Sequence, residues 1–198
     1  MDQHGTSALK TRRAAALPPE ARRQAIVEAT LPLLMDQGLA VTTRQIAEAA
    51  GIAEGTIFRV FPDKEALIAA AVEKALDPAP LEARLAEIDA SRPLEVRLLE
   101  AVEVMQERAE RLWQLMSNVG FTRPAGDDES RNRRSYLDIQ SLAALFQPDA
   151  DALRFDAAAS ARRLRALAIA GTHPALVGDQ PLTPEEIVSQ FLDGARAR

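Results

Sequence analysis

Residues 42–61 read TTRQIAEAAGIAEGTIFRVF, two short helical patterns divided by one glycine, Gly51. Thr42, with Gln45 three residues on, has the form of a capping box, in which hydroxyl and amide each satisfy a free backbone N–H. Ile46, Ala47 and Ala50 share the inner face of the first pattern, Gly51 permits the positive φ of a sharp turn, and Ile52 follows as an apolar plug. The second helix is expected from Ala53 through Val60, with Ile57 and Val60 inward at i, i+3 spacing. A corner of this kind is either packing alone or a helix-turn-helix, whose second helix enters a major groove.

The outward positions suit the second reading. Arg44 can reach phosphate or guanine, Thr43 can donate to phosphate, Gly55 lets backbone approach closely, and Thr56 can hydrogen-bond or touch a thymine methyl. Arg59 lies one turn further along the same face, and Lys64 opens the next helix, where free N–H groups favour an anion. Thr42 and Phe58 complete the candidate DNA-binding set. Glu54 is awkward there, since a carboxylate repels phosphate; it can instead accept from a cytosine amino group or stabilise the helix N-terminus.

Working outward, a helix is expected from about Pro19 to a C-terminal cap at Gly38, bent at Pro32. Residues 1–18 lack apolar periodicity and are expected to form a basic, flexible arm. The segment from Lys10 to Arg23 carries net charge +4, although the whole chain carries −5. Lys10, Arg12 and Arg13 are candidates for following phosphates, the alternative being a tail without function. Downstream, Asp63 caps a fourth helix with Leu67, Ala70 and Ala71 on one face, and Asp77–Pro80, "DPAP", marks a domain boundary. The expected division is an arm at 1–18, a DNA-binding domain at 19–79 with its motif at 42–61, and a second helical domain at 80–198.

Beyond the boundary the patterns remain helical: Arg92 to Asn118, about Asn132 to Phe146, about Ala150 to Ala170, and Pro184 to Ala195 behind a capping box of Thr183 and Glu186. Thr122 to Ser130 reads as a loop, and no strand pattern occurs, so the fold class is all-α. Met105, Trp113, Met116, Phe121 and Phe146 either fill a core or line an apolar effector pocket. Ala161, Leu164 and Ala168 in an alanine-rich stretch, with Ile187 and Phe191, are candidates for an intersubunit four-helix bundle.

Composition narrows the chemistry. Among 198 residues, 47% are apolar, there is no cysteine, and the two histidines, His4 and His173, lie far apart. No metal centre, cofactor or enzymatic activity is expected, for want of a partnered nucleophile, a phosphate loop or paired carboxylates. No run approaches the roughly 18 apolar residues of a membrane span, which leads to an expectation of a cytoplasmic protein without a membrane partner.

The joint run TTRQIAEAAGIAEGTIFRVFPDKEALIAAAV, with AIVEATLPLLMDQG before it, resembles the DNA-binding region of the TetR family of transcriptional repressors over about Pro19 to Asp77. The C-terminal RALAIAGTHPALVGDQPLTPEEIVSQFLDGARA resembles some members with less specificity. The resemblance implies a homodimer on a pseudo-palindromic double-stranded DNA operator, with a helical C-terminal domain that dimerises and binds a small apolar or amphipathic effector. The family often has serine where this chain has Ala53, tyrosine at Phe58, and histidine or tyrosine at Val60. Each lost hydroxyl contact costs about 0.5–1.5 kcal/mol and a poor N-cap about 1 kcal/mol. The alternative is therefore a dimeric small-molecule-binding protein that has lost specific DNA binding.

Overall fold

The computed structural model describes residues 18–120 and 139–196, and among these the chain is helical, with one isolated bridge between Leu153 and Arg196. Helix α1 spans Pro19–Gln37 and ends at Gly38, whose N–H donates to the Leu34 carbonyl at φ +56°. It runs through Pro32, which lies on the exposed side, so the ring meets solvent and not the core. A short 3-10 turn, Gly38–Ala40, leads to α2 at Thr43–Ala49, where both halves of the Thr42 and Gln45 capping box form.

Gly51, at φ +65°, turns the chain into α3, Glu54–Ile57. This helix is shorter than expected. Ala53 supplies no side-chain cap, and after Ile57 the chain continues to Phe61 through turn bonds such as Arg59 N–H to the Thr56 carbonyl. Helix α4, Lys64–Leu76, starts at Asp63, whose carboxylate accepts the Ala66 N–H at 2.7 Å.

The "DPAP" segment does not merely interrupt the chain. Pro78 precedes a further helix, α5 at Ala79–Ala86, which the sequence reading left out. Helix α6, Leu94–Val119, is the long element expected there. Helix α7, Gln140–Ala144, retains the described part of the predicted 132–146 segment; residues 121–138, including the predicted Thr122–Ser130 loop, lie outside the described residues. The helix predicted from Ala150 to Ala170 begins later. A 3-10 turn at Gln147–Ala152 comes first, and α8, Ala157–Thr172, starts where Asp156 accepts the Ala159 N–H. The four-residue α9, Pro174–Val177, and α10, Pro184–Ala195, complete the chain, with the Thr183 and Glu186 box in place.

Two apolar clusters organise these elements. The first gathers Ile26 and Leu34 of α1, Ile46 of α2, Ile57 of α3 and Leu67 of α4. The second gathers Leu85 of α5, Leu98 and Val102 of α6, Phe146, Leu164 of α8 and Phe191 of α10. Helix α6 reaches back across the expected boundary at 79 and 80, since Leu115 and Val119 near its end are buried in the first cluster. Gly38 permits this approach: a Cβ there would lie 2.4 Å from the Asn118 carbonyl oxygen. The Asn118 side-chain amide in turn donates to the Met35 carbonyl.

Arg97 is a buried charge within the second cluster, 1% exposed. Its guanidinium donates to the Ala90 carbonyl at 2.8 Å and to Asp149, fastening α6 to the 3-10 turn. Desolvation makes such a group stable only with its partner in place.

Candidate nucleic-acid interface

The α2–α3 corner is fixed from inside by Ile46 and Ile57, both fully buried, and from outside by one hydrogen bond. The Thr43 hydroxyl donates to the Glu54 carboxylate, joining the first turn of α2 to the first turn of α3. Within the chain, Thr43 thus directs its hydroxyl hydrogen at Glu54, and Glu54 acts as a brace. The Thr42 hydroxyl likewise serves the capping box, donating to Gln45 Oε1 at 2.8 Å.

Around this brace stand the groups that remain outward. Arg44 pairs with Glu48 at 3.2 Å across one turn, yet its side chain stays 80% exposed. Exposed i, i+4 pairs of this kind contribute only about 0.3–0.5 kcal/mol, so Arg44 exchanges partners readily. The Arg59 side chain is exposed and has no ion pair or hydrogen bond among the described residues. Thr56 is half-buried at the same corner. Gly55 is exposed, and a Cβ built there would meet nothing within 4 Å, so no contact among the described residues requires a glycine.

The two aromatics divide. Phe61 is buried beneath the Arg23 guanidinium, 4.9 Å from the ring centre, whereas Phe58 is 51% exposed. Lys64 has a partner within the chain: its ammonium donates to the Leu39 carbonyl at 2.8 Å and ties α4 to the 3-10 turn. Capping of α4 by Asp63 could be read from sequence; the Lys64 contact joins residues 25 apart and left no local signal. The predicted arm residues Lys10, Arg12 and Arg13 lie outside the described residues.

A second candidate site lies beside α6, a cavity of about 230 Å³. Met105, Trp113 and Met116, predicted as pocket residues, all line it, together with Leu81 of α5 and Ile169 of α8. Phe146 does not: it is fully buried in the second cluster, with its ring centre 5.7 Å from that of Phe191, edge to face. Phe121 lies outside the described residues. Arg108 and Arg165, which periodicity did not mark, also reach the cavity.

Arg108 links this cavity to α4. Its Nη2 donates to the carbonyls of Ala75, Leu76 and Asp77 at 3.3, 3.0 and 2.9 Å, satisfying the end of that helix. The Asp77 carboxyl is held below its usual range, first by the Ala79 N–H and then by Lys74 and Arg108, with burial opposing them.

The five predicted interface residues are placed differently. Ala161, Leu164, Ala168, Ile187 and Phe191 are each at most 5% exposed within a single chain. They form the seam of α8 and α10 against α6, so they have no surface left for a second subunit. Amphipathic periodicity marks a buried stripe without saying whose surface buries it. The outward side of α8 instead carries Ala158, Arg162, Ala166 and Leu167.

Residues 26–71 match the model of the bacterial regulatory proteins of the TetR family. Solved structures match along nearly the whole chain. A putative TetR-family regulator from Mesorhizobium loti is 19% identical, with 92% of this chain and all of that one covered and a TM-score of 0.59. A TetR-family regulator from Streptomyces coelicolor is 22% identical, covering 90% of this chain and 80% of its own, at a TM-score of 0.60. A SmeT–triclosan complex is 19% identical, covering 89% and 92%, at a TM-score of 0.53. At these identities the structures show a shared fold: an N-terminal helix-turn-helix followed by a helical C-terminal domain.

Proposed function

We propose, from the premise that residues 26–71 make this chain a TetR-family transcriptional regulator, that it represses transcription as a homodimer and leaves its operator when a small molecule binds. The observation that carries the DNA-binding part is the braced corner. Arg44, Gly55, Phe58 and Arg59 are presented outward there on a scaffold locked by Thr43 and Glu54. No contact among the described residues requires Gly55 to be glycine, which fits backbone lying against DNA. Phe58, lacking a hydroxyl, suits a thymine methyl better than a phosphate.

In the dimer, two such corners occupy successive major grooves about 34–36 Å apart. The outward side of α8, with small Ala158 and Ala166 and exposed Leu167, is the surface offered to the partner. The cavity beside α6 receives the effector, as the SmeT structure holds triclosan. Release requires an effector that favours a conformation with a different corner spacing, since equal affinity for both conformations shifts nothing. Lys10, Arg12 and Arg13 supply phosphate contacts from the arm.

The test is operator binding by variants whose fold and dimer are verified. Arg44→Ala and Thr56→Val each weaken binding about tenfold or more, corresponding to about 1–3 kcal/mol for a base or phosphate contact. Unchanged affinity in both removes the assignment. One observation favours a second reading, a small-molecule-binding dimer without specific DNA recognition: Ala53 caps nothing and Phe58 cannot donate. Affinity for duplex DNA that falls steeply with salt and depends on sequence separates the two.

A further inference from the structure

The polar side chains around the cavity beside α6 are of one kind. Among the described residues lining it, Arg108, Arg165 and Trp113 carry polar atoms, and all three are hydrogen-bond donors only. No carboxylate, amide or hydroxyl side chain joins them among those residues, and the rest of the wall is aliphatic or thioether. The Trp113 indole N–H is buried and has no acceptor among the described residues. A buried donor left unmatched is costly, and an acceptor on a ligand removes that cost.

We propose that this cavity takes an apolar molecule bearing one anionic, acceptor-rich head, of the class of a medium-chain or aryl carboxylate. The proposal rests on the cavity being the effector site. Arg165 and Arg108 hold the head, and the Met105, Leu81 and Ile169 surface holds the tail. An anionic head adds charge complementarity to two guanidinium groups that a neutral head lacks, and a cation is repelled by them. At about 230 Å³ the cavity has room for a short amphiphile.

Arg108 has a competing commitment. Its Nη2 already serves the carbonyls of Ala75, Leu76 and Asp77, and the Asp77 carboxylate feels its charge. A carboxylate in the cavity draws the guanidinium away from the end of α4, the helix that follows the reading corner. Arg108 is therefore a binding residue whose engagement changes how α4 is held.

Trp113 is the sole tryptophan, so the full-length protein reports occupancy through its own emission. The probes are octanoate, octan-1-ol and octylamine, which share a tail and differ in the head. Octanoate is expected to saturate at least tenfold more tightly than octan-1-ol, and octylamine to leave the emission unchanged. Arg165→Gln weakens octanoate about tenfold while leaving octan-1-ol as it was. Arg108→Gln does the same, again with octan-1-ol affinity unchanged, a head-group-selective loss that a purely structural role would not produce.

Octan-1-ol or octylamine binding as tightly as octanoate overturns the proposal, as does no response to any of the three. Octanoate affinity unchanged in both glutamine variants overturns it as well. Octanoate binding with the expected preference but without any change in operator affinity keeps the ligand class and overturns the effector reading. Operator release by octan-1-ol in preference to octanoate does the reverse.

Discussion

The two apolar clusters of this chain present their chemistry in opposite directions. The first surrounds itself with outward polar and aromatic groups, Arg44, Thr56, Phe58 and Arg59, on helices too short to do more than hold an angle. The second turns its distinctive side chains inward, around a cavity that α6 shares with α5 and α8. Surface chemistry can be exchanged with little effect on the fold, whereas inward chemistry is bound up with stability. Helix α6 belongs to both, and its contacts with Gly38 and with the end of α4 are where the two regions meet.

The largest expected effect tests whether the stripe on α10 is core. Phe191→Ala should destabilise the protein by about 4 kcal/mol, with the loss independent of protein concentration in denaturant titrations. A concentration-dependent loss would return Phe191 to a subunit interface and break the contrast drawn above. Next is the buried ion pair. Asp149→Ala leaves the Arg97 guanidinium buried without its carboxylate and should cost about 3 kcal/mol, while Asp149→Asn should cost less.

The junction between the regions comes third. Gly38→Ala combines a strained positive φ, about 1–2 kcal/mol, with a Cβ driven into the Asn118 carbonyl, whereas Gly51→Ala carries only the strain because open space surrounds it. Gly38→Ala should therefore be clearly the more destabilising, and equal losses would mean that α6 does not press on α1. The smallest effect is titration of Asp77. A carboxyl lowered in the folded state adds stability that is complete above its ordinary range and lost as the pH falls through the lowered value. Asp77→Asn should lower neutral stability slightly and leave stability at low pH nearly unchanged, which flattens the acid limb; an unaltered acid limb would remove Asp77 from the junction.

The corner was readable from sequence because everything that builds it is local. The Thr42 capping box, the positive φ of Gly51 and the inward Ile46 and Ile57 lie within sixteen residues of one another. The roles of Thr43 and Lys64 were not readable, since each depends on a partner brought close by folding, Glu54 for one and Leu39 for the other. In the second cluster, periodicity found α6 and the buried faces of α8 and α10. It could not say that one chain buries both faces by itself, because an apolar stripe reads the same in either case. Met105, Trp113 and Met116 were found through residue type on one helix, but Arg108 and Arg165 were not, because an arginine pattern on a helix surface resembles any solvated face.

Selection of bound sequences from a random duplex pool at physiological salt, by the full-length protein alongside Arg44→Ala, tests most directly whether the corner reads DNA. The account predicts that the wild-type protein enriches a symmetric pair of half-sites about one helical turn or a multiple apart, and that the variant loses most of that enrichment. A folded wild-type protein that enriches nothing, or a variant that enriches the same site equally well, would contradict it.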